Sequence, residues 1–235
     1  ALKHYEVVVK QAGVVKQTQT VNAPTRTLTI TSRDAYTEYS IQVSAVSMNG
    51  LASYHSTDAL KASDNQLVRT LPTAPAQVGS LSASAGALGK SVTVIWEPPS
   101  TNGAPITNYS IAMVKDETEE HVRTFYSDKT SLHATQLELN TAYGFIVKAE
   151  NEKGWGPTAR VNQSTVALRP DTPTMSKVLD ADITGSSVKV GWSLPKSDGG
   201  SALKHYEVVV KQAGKVKQTQ QVNAPTRELT ISSLE

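Results

Sequence analysis

Apolar and polar positions alternate with a period of two along most of this chain, and no stretch carries the three-and-four spacing of an amphipathic helix. Val92, Val94 and Trp96 share one face of a run, and Tyr109, Ile111 and Met113 share a face of the next. Tyr143, Phe145, Val147 and Ala149 share a face of a later one. Thr, Ser, Lys and Glu fill many of the opposite positions, giving the half-buried alternation of antiparallel sheets. Turn chemistry separates the runs: PPSTNGAP at 98–105 and PKSDGGSA at 195–202 carry Asn-Gly and Asp-Gly. Short strands at this spacing predict an all-β chain of sandwiches.

The pattern also repeats. Residues 1–32 and 202–233 align at an offset of 201 and differ at four positions: Val14/Lys215, Thr20/Gln221, Thr27/Glu228 and Thr31/Ser232. All four exchanges are of the kind a solvated β surface tolerates. A shorter period lies inside the long one. Trp96 and Trp192 stand 96 apart in SVTVIWEPP and SVKVGWSLP, and Tyr109 and Tyr206 stand 97 apart. Pro72 and Pro75 of LPTAP recur as Pro170 and Pro173 of RPDTP, 98 apart. A module of nearly a hundred residues is therefore used more than once, in alternating types.

The joint occurrence of Trp-x-x-Pro, an Asn/Asp-Gly loop, a Tyr-led strand, and then TAYGFIVKAENEKGWGP resembles the fibronectin type III module. The resemblance covers essentially the whole chain. It implies tandem immunoglobulin-like sandwiches, with strands A, B and E facing C, C′, F and G. It makes Trp96 and Trp192 the buried strand-B tryptophans, Tyr5, Tyr109 and Tyr206 the strand-C core tyrosines, and Tyr39 and Tyr143 the tyrosine corners that open strand F. So mapped, residues 72–168 are a complete module. Residues 1–69 are a partial one carrying strands C to G, and residues 170–235 a partial one carrying A to E. Leu234 fits the apolar position six residues before a corner tyrosine, where the first copy has Arg33. Each partial module is expected to expose unpaired edges and half a core, to be completed by neighbouring modules or by strands from other copies of the chain.

Composition narrows the function. With 23 Lys+Arg against 21 Asp+Glu the net charge is +2, too balanced to advertise nucleic acid. No apolar run approaches the roughly 20 residues of a membrane span. ALKHYEVVVK lacks the apolar core of a signal peptide and an initiator Met, which reads as an internal piece of something longer. Cysteine is absent, excluding disulfides, thiolate metal sites and a Cys nucleophile.

Candidate chemistry is sparse. The histidines (His4, His55, His121, His133 and His205) show no metal-ligand spacing. The acidic run KDETEEH at 115–121 reads as a solvated turn, and Gly154-Trp155-Gly156 lies between strands, the wrong context for a phosphate cradle. No catalytic, cofactor-binding or metal residue is assigned. Trp155 is either an exposed contact anchor or packed against the next linker. Asn108 and Asn162 head sequons that matter only on a eukaryotic secretory route.

These readings point to a non-catalytic structural segment of a long extracellular fibre, stalk or adhesin. Pro-containing linkers, RTLPTAP and ALRPDTP, would restrict its joints. Spacer modules of a secreted polysaccharide-degrading enzyme and an intracellular titin-like ruler are the alternatives.

Overall fold

The longest alternating runs become the longest strands. The computed structural model describes residues 1–50 and 66–232. Strands β1 (Leu2–Gln11) and β2 (Val14–Asn22) form an antiparallel hairpin turned by Ala12 and Gly13, at φ 48° and 80°. Two consecutive left-handed residues suit the right-handed twist of paired strands. β3 (Glu38–Ser47) pairs with the other edge of β1, and β4 (Gln66–Arg69) with β3, giving the order β2-β1-β3-β4.

The middle of the chain supplies β5 (Gly79–Ala85), β6 (Ser91–Glu97), β7 (Asn108–Lys115), β8 (Glu120–Ser127), β9 (Ser131–Thr135), β10 (Ala142–Asn151), β11 (Gly154–Trp155) and β12 (Ala159–Ser164). They form two sheets, β5-β6-β9 and β11-β10-β7-β8, with β12 also paired to β10. Val92, Val94, Trp96, Ile111, Met113, Tyr143, Phe145 and Val147 are at most 2% exposed. Alternation puts each set on one face of its strand, and burying both faces closes a sandwich core.

The last stretch holds β13 (Ser187–Gly191), β14 (His205–Gln212), β15 (Lys215–Asn223) and β16 (Glu228–Ser232). Among the described residues β13 pairs only with β16, and β14 only with β15. The strand A expected here is reduced to two isolated bridges, Met175 with Trp192 and Ile183 with Val188, around a 3₁₀ turn at Asp180–Asp182.

Two sequence expectations need correction. The strand E expected within residues 1–69 does not form where its counterparts lie, since residues 25–32 are not a strand. Their counterparts β9 and β16 each pair with a Trp-bearing B segment, through β6 and β13. Among the described residues nothing pairs with 25–32, so the backbone has no ladder to join. The linker prolines are also re-registered. Thr73 N donates to Asn102 O (3.2 Å) and Ala76 N to Ser100 O (3.0 Å); Leu168 N donates to Gly199 O (2.9 Å) and Asp171 N to Ser197 O (2.9 Å). These bonds align the linkers at an offset of 95, so Pro75 matches Pro170 and Ala167 takes the place of Pro72.

The chain packs as two units. Residues 1–78 pack with residues 98–109 and 148–158, while 79–97, 110–147 and 159–235 form the second unit. The division follows packing rather than the sequence boundaries, because the loop at 98–105 is bonded to the linker that precedes β5.

Candidate functional site

Two corners are built alike. The Tyr143 hydroxyl accepts from Glu138 N at 3.1 Å, and the Tyr39 hydroxyl accepts from Asp34 N at 3.0 Å. Each bond ties the start of an F-type strand to the turn five residues before it. A threonine completes each corner. Thr165 Oγ1 donates to Glu138 O (2.7 Å) and accepts from Thr141 N (2.9 Å). Thr70 Oγ1 donates to Asp34 O (2.7 Å) and accepts from Thr37 N (2.9 Å). One hydroxyl thus satisfies a donor and an acceptor that the turn would otherwise leave open. Sequence reasoning passed over Thr70 and Thr165; a threonine ending the last strand of each module was the available signal. Arg33, where Leu137 stands in the other corner, lays its guanidinium over the Tyr39 ring, 5.6 Å from the centroid, and donates to Gln17. Leu234 lies outside the described residues.

The tryptophans and strand-C tyrosines separate the modules. Trp96 and Tyr109 are both buried, and burial raises the Tyr109 phenol above its usual range. Trp192 meets Tyr206 edge to face, with ring centroids 5.3 Å apart, and both are buried with Val190, Val222 and Ile231. Such a pair adds attraction beyond the area it removes from water. Tyr5, the counterpart of Tyr206, is only half-buried. An open groove of about 340 Å³ lies beside it, lined by Val7, Leu28, Ile30, Ile41 and Val43. A second groove, about 570 Å³, is lined by Trp192, Tyr206, Val208, Val210 and Ile231.

The remaining candidates lie mostly on β9 to β12 and the turns beside them. Trp155 is half-buried, with the Lys148 ammonium over its ring at 4.7 Å from the centroid. Asn151, the last residue of β10, is buried; its Nδ2 donates to Thr73 O (2.9 Å), Thr101 O (3.1 Å) and Ala104 O (3.4 Å). It staples linker to loop, and a polar residue ending an apolar strand was its signal. Asn162 is exposed on β12, whereas Asn108 is half-buried and the serine of its sequon, Ser110, is buried. In the acidic turn, Arg160 donates to Asp116 (2.7 Å) and Glu119 (2.7 and 2.8 Å). Those bonds hold the Glu119 carboxyl below its ordinary range and the guanidinium above its own. Gly144 makes room, since a Cβ there would come within 2.7 Å of Arg160. His133 Nδ1 lies 3.0 Å from Thr93 Oγ1 and His121 Nε2 lies 2.8 Å from Thr124 Oγ1. His4 is half-buried and His205 exposed on their strands, and His55 is outside the described residues. Among the described residues no three His, Asp or Glu side chains gather as a metal site.

A model of the fibronectin type III domain matches residues 74–165. Residues 74–165 are a fibronectin type III domain. In this family's lettering β6 and β9 are strands B and E, and β7, β8, β10 and β12 are C, C′, F and G. Protein sidekick of Drosophila melanogaster is 25% identical over 195 residues, 81% of this chain and 8% of that protein. Protein sidekick-1 of Mus musculus is 29% identical over 126 residues, 52% of this chain and 6% of that protein. The chain therefore spans less than a tenth of the length of each of these two relatives. The crystal structure of chicken CNTN1 FN1–FN3 domains aligns over 100% of this chain and 79% of that one, with a TM-score of 0.45 and 18% identity.

Proposed function

We propose that the chain is a non-catalytic structural segment of a long fibronectin type III array displayed outside the cell or at its surface, as part of a fibre, stalk or adhesin. In this reading 72–168 is the complete module, and 1–69 and 170–235 are partial ones. The observation that carries it is repetition at atomic detail: the same corner network and the same linker bonds recur in successive modules. The eight residues that distinguish the two distant copies are all exposed. Selection of that kind preserves a scaffold and its spacing, since each added module adds length through nearest-neighbour contacts. The match to much longer relatives supports an array. Its partners are neighbouring modules or other copies, meeting the two apolar grooves beside Tyr5 and Tyr206. Of the two sequons, Asn162 is the one a modifying enzyme can reach. No helix among the described residues is long and apolar enough to cross a membrane. Labelling of intact source cells with antibodies to residues 72–168 tests the location. Signal without permeabilisation is expected; signal only after permeabilisation would contradict the proposal.

A further inference from the structure

We infer that the loop before each strand C is a socket for the corner turn of the preceding repeat, and that one glycine in each loop admits the corner. The inference rests on the array reading in so far as repeats follow one another in one chain. Each instance lies within one packed unit.

In the first joint, Asn102 and Gly103 have φ 49° and 92°. Tyr36, at the tip of the corner turn, lies so close that a Cβ on Gly103 would overlap the Cβ and Cγ of Tyr36. The Arg69 guanidinium also stacks on that ring, 5.1 Å from its centroid, and is itself 3.6 Å from Glu38. The loop cannot drift away from the corner, because Asn102 Nδ2 donates to Ala74 O (2.8 Å) and Asn151 bonds the loop and linker together.

The second joint repeats this plan with different tip chemistry. Gly199 and Gly200 have φ 75° and 84°, and a Cβ on Gly200 would sit 2.6 Å from Leu139 Cβ and 3.0 Å from Asn140 Cβ. Asn140 is the counterpart of Tyr36, and the two share a left-handed φ of 49° and 48°. Four residues upstream Gln136 and Ser32 also match, at φ 60° and 58°. Asn140 Nδ2 donates to Gly200 O (3.0 Å) and Ser201 Oγ (3.3 Å). One corner therefore enters its socket with an aromatic ring, the other with an amide.

Positive φ alone does not account for these glycines. Gly13 and Gly214 have φ 80° and 79° and nothing within 4 Å of where a Cβ would stand. Gly103 and Gly200 carry a second demand, the close approach of corner-turn residues of another repeat: the Tyr36 side chain at Gly103, and Leu139 with the Asn140 Cβ at Gly200. The joints are thus keyed contacts rather than free linkers, and the tip residue distinguishes alternate joints.

Hydrogen exchange on the 235-residue chain carrying Gly103→Ala, Gly200→Ala or Gly214→Ala tests this. Gly103→Ala is expected to speed exchange at the Thr73 and Ala76 amides by about tenfold while leaving Leu168 and Asp171 unchanged. Gly200→Ala should do the reverse, and Gly214→Ala should move neither pair. Asn140→Ala, which leaves the loop backbone intact, should speed Leu168 alone by about threefold. Should Gly103→Ala and Gly214→Ala prove indistinguishable at Thr73, or Asn140→Ala leave Leu168 unmoved, the socket is wrong. Cell-surface labelling does not depend on any of these results, so failure of the array's proposed location would be seen separately.

Discussion

Residues 1–32 and 202–233 differ at four positions, yet they do not adopt the same structure. They agree through the hairpin. Both turn on an Ala-Gly pair, both shift register after the third valine, and both close with the amide after Asn–Ala–Pro donating back to the Asn carbonyl at 3.1 Å. Then they part. Glu228–Ser232 is a strand paired to β13, whereas 27–31 is not a strand. On the other side the contrast reverses: β1 has a second partner in β3, and β14 has none beyond β15 among the described residues. Burial follows the partners. Tyr206 is buried against Trp192, while Tyr5 is half-buried. Val43, which lines the groove beside Tyr5, is 54% exposed where its counterpart Val147 in the middle sandwich is 0%. Local propensity differs only through Thr27/Glu228 and Thr31/Ser232, and threonine, the better strand former, sits in the copy that is not a strand. What decides strand or no strand is therefore whether a neighbour offers a ladder and a face.

The exchanges between the copies bear the same mark. Glu228, where the first copy has Thr27, reaches Lys189 on the B strand at 2.9 Å and raises the pKa of that lysine. Thr27 has no such strand beside it among the described residues.

The comparison can be broken most forcefully at Trp192. Trp192→Ala should destabilise the second copy by about 3–5 kcal/mol, the usual cost of a buried aromatic, and leave the first copy's hairpin unchanged. Denaturant titration followed by residue-resolved NMR would read both effects in one sample. A smaller test uses one residue in both settings. Ile231→Ala should cost about 2–4 kcal/mol because its side chain is buried, whereas Ile30→Ala, half-buried over an open groove, should cost less than about 1 kcal/mol. Equal costs would show that the copies pack alike. The smallest effect should be symmetric. Ala12 and Ala213 occupy left-handed positions that asparagine tolerates better, so Ala12→Asn and Ala213→Asn should each stabilise their hairpin by about 0.5–1 kcal/mol.

Period-two alternation was enough to mark the strand faces around Trp96, Tyr109 and Phe145, because a face buried on one side must be apolar at every second residue. Tyr39 and Tyr143 were legible as corner tyrosines through the resemblance to the fibronectin type III module. What alternation could not show is partnership. TLTI reads as a strand wherever it occurs, and only the fold reveals that, among the described residues, nothing pairs with it at 27–30. Hydroxyl bridges such as Thr70 and Thr165 were hidden because threonine is common on strand surfaces for other reasons. The linker register was misread because proline spacing was visible and backbone hydrogen bonds were not. Gly103 and Gly200 read as turn residues, which they are; the close approach of Tyr36 and Leu139 is a tertiary fact.

The most direct test of partnership over propensity is amide exchange at 27–31 and 228–232 in the same molecule, the two peptides being distinguishable through Thr27/Glu228 and Thr31/Ser232. The amides of 228–232 that face β13 should be protected well beyond random-coil rates, and those of 27–31 should exchange near them. Equal protection in both segments would contradict the account.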